Sequence, residues 1–122
     1  MEASQRPVIA LFTGDPAGIG PELVGKLLQD GQALDSADVL LIGQRGQDVG
    51  AANVAWHEWA GRDAAPFAAG QAGADNGRYM LQGLAAGVDL VRSGRADALC
   101  FAPLNKGALR AGGMHQEDEL RW

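Results

Sequence analysis

Four short apolar runs divide this chain, each bounded by polar residues, glycine or proline. They lie at residues 7–13 (PVIALFT), 37–43 (ADVLLIG), 53–59 (NVAWHEW) and 97–103 (DALCFAP). Apolar runs of this length are typical of strands buried on both faces of a parallel sheet. The third run is the weakest strand prediction of the four. Its side chains alternate between two faces, with Val54, Trp56 and Glu58 on one and Ala55, His57 and Trp59 on the other. The pattern therefore predicts four strands.

Helical spacing appears between these runs. Pro21 suits the first turn of a helix, and the apolar residues that follow it form one stripe expected to end at Asp30-Gly31. A second helix is predicted from Asn76 to about Ser93. The apolar stripes consist of Leu23, Val24, Leu27 and Leu28 in the first helix, and Met80, Leu84, Gly87, Val88 and Val91 in the second.

The remaining segments complete an α/β pattern. Residues 60–75 are rich in alanine and glycine and are predicted to form a loop, while residues 104–113 are predicted to form a loop and a short helix. Strands that alternate with helices favour right-handed crossovers. We therefore predict the α/β class, with a parallel-type sheet and flanking helices.

Composition and charge exclude several classes of function for this protein. The net charge is −5, which argues against a nucleic-acid partner because such partners require a basic face. No apolar stretch approaches the roughly 18 residues of a membrane span. Residues 1–7 (MEASQRP) do not resemble a signal peptide, so we expect a cytoplasmic protein that binds no membrane. The single cysteine, Cys100, is predicted to be a small buried hydrophobe.

The last eight residues, HQEDELRW, predict the start of an acidic amphipathic helix. This pattern stops after about two turns, whereas a domain end is more often a capped helix or a polar tail. We therefore expect residues 1–122 to be the N-terminal part of a longer protein.

A glycine-rich loop, GDPAGIGPE at residues 14–22, follows the first predicted strand. The carboxyl end of a parallel strand and a helix N-terminus both favour a bound anion. However, the spacing is neither G-x-G-x-x-G nor a P-loop, since no lysine closes it. A ligand-binding loop and a tight strand-to-helix connection both remain open.

A second group of polar residues follows the fourth predicted strand. Asn105 and Lys106 come directly after it, and Arg110 lies one helical turn beyond Lys106. This pattern has two explanations. The two cations could lie beside an anion site, or they could be solvated side chains on a surface helix. His115 is either a ligand contact or a surface residue, and His57 is predicted to be structural.

Two stretches resemble the 4-hydroxythreonine-4-phosphate dehydrogenase family. They are GDPAGIGPEL at residues 14–23 and ALCFAPLNKGALRAGGMHQEDEL at residues 98–120. The first is also similar to the G-D-G-I-G-P-E opening of isocitrate and isopropylmalate dehydrogenases. His115 and Glu117 match the family's G-H-T-E motif, whereas Met114 and Gln116 replace its glycine and threonine.

This resemblance implies a part of a two-domain, isocitrate/isopropylmalate dehydrogenase-like fold. It also implies NAD-dependent oxidation, with decarboxylation, of a phosphorylated hydroxy acid such as 4-phosphooxy-threonine, in pyridoxine biosynthesis. A divalent metal (Zn, Mg or Co) would be held by histidines outside this segment, in a homodimer. The segment alone is therefore expected to be inactive.

The resemblance also suggests roles for individual residues. Substrate contacts carry over to His115, Gln116, Lys106 and Asn105, and cofactor contacts to Gly14, Asp15, Gly18 and Gly20. Two alternatives remain open. The first is the same mechanism acting on another four-carbon phosphorylated acid or on a dihydrodiol. The second is a non-catalytic α/β module that binds a phosphorylated ligand.

Overall fold

The computed structural model describes residues 6–30, 35–47 and 53–122. The predicted α/β pattern is confirmed there, whereas Gly31, at the predicted end of the first helix, lies outside these residues. The elements in chain order are β1 (Val8–Phe12), α1 (Gly20–Gln29), β2 (Asp38–Ile42), β3 (Val54–Trp56), α2 (Ala74–Arg92), β4 (Ala98–Phe101) and α3 (Lys106–Ala111).

The four strands form one parallel sheet in the order β3-β2-β1-β4. Leu11 of β1 lies opposite Leu41 of β2 on one side and Cys100 of β4 on the other. The chain first moves from β1 outward to β3, and α2 then carries it back across the sheet to β4. The strand order therefore reverses between β1 and β4, and at such a point the loops that follow the two strands diverge and leave a crevice for ligands.

The sheet separates two apolar clusters, one on each face. On the α1 side, Leu11, Val39 and Leu41 of the strands pack with Val24 and Leu28 of the helix. On the other side, strand residues pack against α2 and α3. The buried members of that second cluster are Ala10, Phe12, Ile42, Tyr79, Met80, Leu84, Leu90, Ala96, Ala108, Leu109 and Met114.

The apolar stripe predicted for α1 divides between two environments. Val24 and Leu28 are buried against the sheet, whereas Leu23 and Leu27 remain 45% and 43% exposed. Successive positions differ by about 100° around a helix, so a four-residue stripe is wider than one flat sheet can cover. The flank that carries Leu23 and Leu27 therefore stays open among the described residues.

Helices α2 and α3 approach each other closely because α2 carries a glycine at their contact. A Cβ atom built on Gly77 would lie 1.8 Å from the carbonyl oxygen of Ala108. The predicted face of α2 is largely confirmed, since Met80, Leu84 and Gly87 are buried, but Val88 is exposed.

Three expectations about individual segments are wrong. Cys100 is exposed rather than buried, because β4 is an edge strand of the described sheet. Residues 115–122 form bends and a turn, with the backbone N–H of Arg121 donating to the side chain of Asp118, instead of starting a helix. The third strand ends at Trp56 instead of continuing to Trp59.

Within residues 6–30, 35–47 and 53–122, the structure contains no helix with the length and apolar character that crossing a bilayer requires.

Candidate functional site

Three loops meet at the carboxyl edge of the sheet. The backbone N–H of Asp15 donates a 2.9 Å hydrogen bond to the carbonyl of Pro103, and that of Gly70 donates a 2.8 Å bond to the carbonyl of Ala17. The glycine loop is thereby held against the loop after β4 and against the long loop before α2. This junction lies where the strand order reverses, the place at which parallel sheets bind ligands.

Two of the loop glycines are explained by backbone packing. Gly14 has φ +80°, and a Cβ there would lie 2.6 Å from the carbonyl oxygens of both Ala102 and Pro103. A Cβ on Gly20 would lie 2.2 Å from the carbonyl oxygen of Thr13. These close approaches account for both glycines without a ligand, whereas Gly18 is exposed on the surface of the loop.

Asp15 is buried inside this loop. One oxygen of its carboxylate accepts a 3.0 Å hydrogen bond from the backbone N–H of Ala17. A fixed negative charge at this position repels a phosphate but accepts hydrogen bonds from hydroxyl groups. The loop is therefore better suited to a sugar or alcohol hydroxyl than to a phosphate beside Asp15.

The N-terminus of α1 lies just beyond this loop. The residue preceding the helix, Ile19, provides no side-chain cap, and Pro21 removes one backbone donor. The first-turn N–H groups have no partner within a helix, so they are potential donors to a ligand. The negative charge of Glu22 in the same turn reduces the attraction for a second anion, and its 3.1 Å ion pair with Lys26 offsets part of that effect.

The loop after β4 places the predicted cationic pair on α3. The Oδ1 atom of Asn105 caps this helix by accepting a 2.9 Å hydrogen bond from the N–H of Ala108, which leaves the amide nitrogen for a ligand. Lys106 begins α3 and is exposed. Arg110 lies one turn further on, and its guanidinium donates to the carbonyl of Glu117 at 3.4 Å.

His115 and Gln116 follow α3 and are exposed. Met114 just before them is buried, and its N–H donates to the carbonyl of Leu109, which ties the segment to the end of α3. Within the described ranges, the side chains of Lys106, His115 and Gln116 form no hydrogen bond or ion pair. Their polar atoms are thus free to contact a ligand.

Two buried polar side chains near this edge were not predicted from the sequence. Thr13 directly follows β1, and Tyr79 of α2 packs against Phe12 with ring centroids 5.8 Å apart. Burial raises the pKa of Tyr79 to about 12, and interaction with the Thr13 hydroxyl opposes part of that shift. The only sequence signal was a threonine closing an apolar run.

A third buried polar residue, Asn76, stands in the first turn of α2. Its Oδ1 atom accepts a 3.2 Å hydrogen bond from the N–H of Gly73. Its buried Nδ2 atom has no hydrogen-bond partner in the described part of the chain. A buried donor without a hydrogen bond lowers the stability of the folded state. The sequence did not predict that Asn76 is buried, because the residues around it are mostly alanine and glycine.

His57 lies away from this edge junction. It is half-buried in a cavity of about 390 Å³ between β3 and the end of α2, which Arg95 also lines. Desolvation and, to a smaller extent, the nearby Arg95 charge lower the pKa of His57, while Glu58 opposes the shift. Both effects favour the neutral imidazole.

Comparison with known proteins identifies the family. Residues 25–122 match the family model described as "Pyridoxal phosphate biosynthetic protein PdxA". The chain belongs to this family. The matched region begins after the glycine loop, so it includes Lys106 and His115 but not Gly14 to Gly20.

Individual relatives agree with the PdxA assignment. A putative 4-hydroxythreonine-4-phosphate dehydrogenase 2 of Pseudomonas aeruginosa is 36% identical over 100% of this chain and 43% of its own length. A putative D-threonate 4-phosphate dehydrogenase of Bradyrhizobium diazoefficiens is 34% identical over 88% of this chain and 37% of its own length.

A solved structure confirms the fold. The crystal structure of a 4-hydroxythreonine-4-phosphate dehydrogenase from Burkholderia phymatum superposes with a TM-score of 0.80 at 27% identity. The superposed region covers 96% of this chain and 42% of the Burkholderia phymatum protein. The chain thus spans less than half the length of the PdxA relatives it matches, which agrees with the expectation of a partial fold.

A complete metal centre does not fit the described residues. They contain no group of three or more histidine, cysteine, aspartate or glutamate side chains placed to hold an ion. His57 and His115 are the only histidines in the sequence, and His57 lies in the separate cavity beside α2. The structure therefore provides no basis for deriving a metal-dependent step from this chain.

Proposed function

We propose that this chain supplies the N-terminal part, residues 1–122, of a dehydrogenase that oxidises and decarboxylates a phosphorylated hydroxy acid such as 4-phosphooxy-threonine. The observation that carries this proposal is the hydrogen bond between Asp15 and Pro103, which joins the glycine loop to the loop that leads into Lys106, at the place where the strand order of the sheet reverses. The named relatives are dehydrogenases, which supports an oxidoreductase family.

The substrate side of the site is assigned to the residues after β4. The ammonium of Lys106 would bind the substrate phosphate, and Arg110 would add positive potential one turn away. Asn105 donates through its free amide nitrogen, and His115 and Gln116 orient the hydroxy acid. These polar groups would hold the substrate in one orientation, which lowers the entropy cost of reaction.

The cofactor side is assigned to the glycine loop, with Gly14, Asp15, Gly18 and Gly20 lining NAD. The buried carboxylate of Asp15 would accept a hydrogen bond from a cofactor hydroxyl, while the cofactor phosphates lie away from it. NAD supplies the acceptor for the hydride that leaves the substrate carbinol carbon.

The required divalent metal and a homodimeric, cytoplasmic assembly belong to the complete protein in this proposal. Since the described residues hold no metal-ligand cluster, this chain binds the phosphorylated acid without oxidising it. Turnover by the 122-residue chain with NAD and a divalent metal would contradict this part of the proposal.

Calorimetry tests the substrate assignment. The chain should bind 4-phosphooxy-threonine but not threonine, and Lys106→Met should weaken binding by about tenfold or more, equivalent to about 1.4 kcal/mol. Lys26→Met removes another exposed lysine, on α1, and should leave binding unchanged. Equal affinity of the Lys106→Met and unmodified chains would overturn the role of Lys106.

A second substrate is favoured by one sequence difference. Gln116 stands where the family motif has threonine, and a relative of 34% identity is named a D-threonate 4-phosphate dehydrogenase. The longer amide reaches further than a hydroxyl and both donates and accepts hydrogen bonds. Competition between 4-phosphooxy-threonine and D-threonate 4-phosphate would identify the preferred acid, and tighter binding of the threonate would support the alternative substrate.

A further inference from the structure

One cavity lies apart from the loops at the carboxyl edge of the sheet. It stands between β3 and the second half of α2, and its volume is about 390 Å³. We call it the α2–β3 cavity. Its size falls within the range of small-molecule sites, which span roughly 300–1,000 Å³. The proposed dehydrogenase reaction assigns no role to this cavity, so the side chains around it determine what it can bind.

Helix α2 forms one wall of the α2–β3 cavity. Four of its residues line this wall: Ala86, Asp89, Leu90 and Ser93. Residues at such helical spacing lie on one side of a helix. Leu90 is buried, whereas Asp89 and Ser93 are exposed. The wall therefore combines an apolar base with a polar rim that carries one carboxylate.

The end of β3 forms the other wall. The backbone N–H of His57 donates a 2.9 Å hydrogen bond to the carbonyl of Leu41, which prolongs the pairing of β3 with β2 by one residue. Trp56 packs in the cluster on the α1 side of the sheet. Because side chains alternate along a strand, the next residue, His57, lies on the α2 side. His57 and Trp59 both line the cavity.

A turn at the end of α2 adds Arg95 to the lining. Gly94 has φ +80°, and the N–H of Arg95 donates a 2.9 Å hydrogen bond back to the carbonyl of Leu90. The hydroxyl of Ser93 donates to the same carbonyl at 3.1 Å. Desolvation is the main cause of the lowered pKa of His57 and the Arg95 charge is the second, so the guanidinium lies near the imidazole.

Two opposite charges of the α2–β3 cavity do not pair. Asp89 and Arg95 both line it, yet neither forms an ion pair or a side-chain hydrogen bond within residues 6–30, 35–47 and 53–122. A neighbouring cavity of about 480 Å³ differs, since its Asp38 is paired with Arg6 at 3.2 Å. The α2–β3 cavity therefore offers a ligand one carboxylate and one guanidinium, beside an apolar surface.

We propose that the α2–β3 cavity binds a free α-amino acid with an apolar side chain. The ligand carboxylate pairs with the guanidinium of Arg95, and its ammonium pairs with the carboxylate of Asp89. The ligand side chain packs against Trp59 and Leu90. A simple anion would face the like charge of Asp89, and a simple cation would face that of Arg95, whereas a zwitterion complements both. This inference does not depend on the proposed reaction, so its test needs neither substrate nor cofactor.

Nuclear magnetic resonance on the 122-residue chain tests the proposal, with L-leucine as the probe. The sequence contains two histidines, His57 and His115, and the spectrum of His115→Asn distinguishes their ring signals. Addition of millimolar L-leucine should shift the signals of His57 until they saturate. The signals of His115 should not move, because His115 lies outside the cavity.

Two analogues of leucine test the need for both charges. Isocaproate lacks the ammonium group, and isoamylamine lacks the carboxylate. Each should bind about tenfold or more weakly than L-leucine, because each leaves one charge of the cavity without its partner.

Variants of the two charged residues make the result specific. Arg95→Met should weaken L-leucine binding by about tenfold or more. Asp89→Asn should do the same and remove the preference for L-leucine over isocaproate. Arg92→Met is the control, since it removes an exposed arginine of α2 that does not line the cavity, and it should leave binding unchanged. All three replaced side chains are exposed, so the circular-dichroism spectrum should not change.

Three outcomes would overturn the proposal. Equal affinity for L-leucine and isocaproate would mean that Asp89 does not take part. Unchanged binding in Arg95→Met would place the ligand outside the cavity. Unmoved His57 signals up to the solubility limit of L-leucine would show that the cavity takes no such ligand. None of these results bears on substrate binding by Lys106.

Discussion

Asp15 and Pro103 lie 88 positions apart in the sequence and share one hydrogen bond, from the N–H of Asp15 to the carbonyl of Pro103 at 2.9 Å. It connects the loops that follow two neighbouring strands, β1 and β4. The positive φ of Gly14 turns the backbone so that this bond can form. The candidate site is therefore built by main-chain contacts as much as by its side chains.

Gly14→Ala should destabilise the fold strongly. A Cβ there would clash with two carbonyl oxygens at 2.6 Å, and the backbone is already in the left-handed region. We expect a loss of about 2–4 kcal/mol in the free energy of unfolding, measured in urea. Gly46→Ala is the matched control, since Gly46 has φ +98° and a Cβ built on it would meet no atom within 4 Å, and it should cost only about 1 kcal/mol. Equal losses for the two variants would show that the contact with residues 102–103 is unimportant.

Gly77→Ala should separate α2 from α3. The added methyl would lie 1.8 Å from the carbonyl oxygen of Ala108, and neither helix backbone can yield locally. We expect a loss of about 2 kcal/mol or more in the free energy of unfolding. Gly25→Ala, in α1 where a built Cβ would meet no packed atom within 4 Å, should instead stabilise the chain by about 0.5–1 kcal/mol. A Gly77→Ala protein as stable as the unmodified chain would refute this packing.

Tyr79 should ionise only at very high pH in the folded protein. It is the single tyrosine, so the absorbance of tyrosinate reports on it alone. Its pKa rises from 10.0 to about 12 because burial disfavours the phenolate. The unfolded chain releases this proton first, so stability is unaffected below pH 10 and falls as the pH rises from 10 towards 12.

Tyr79→Phe provides the control for that titration. The variant should lose the absorbance change and show a smaller fall in stability over the same pH interval. The ring contacts with Trp59 and Phe67, at 5.1 Å and 5.4 Å, remain available to phenylalanine. Half-ionisation of the folded protein at pH 10 would mean that the hydroxyl is solvated.

The sequence pattern was sufficient for the element order. Apolar runs and helical spacing predicted all four strands and three helices, because both signals come from residues close together in the chain. The same reasoning failed for residues 115–122, where acidic residues at helical spacing form bends and a turn. It also failed for Cys100, whose apolar neighbours suggested burial.

Site residues were harder to predict because their roles depend on distant partners. Lys106 and Arg110 stand on α3 as their spacing indicated, but only the structure shows that Asn105 caps that helix. Thr13 and Tyr79 were not recognised as buried polar residues because Thr13 follows β1 and Tyr79 lies on α2, and only the packing of the helix on the sheet buries them.

The sequence by itself determined the α/β class, the order of strands and helices, the family resemblance and the glycines of the loop, since each depends on local periodicity or on a contiguous motif. Only the tertiary structure decided the strand order β3-β2-β1-β4, the contact of Asp15 with Pro103, and the exposure of Leu23, Leu27 and Cys100. The physical reason is that burial and loop contacts depend on which elements become neighbours, and a residue's local sequence does not contain that information.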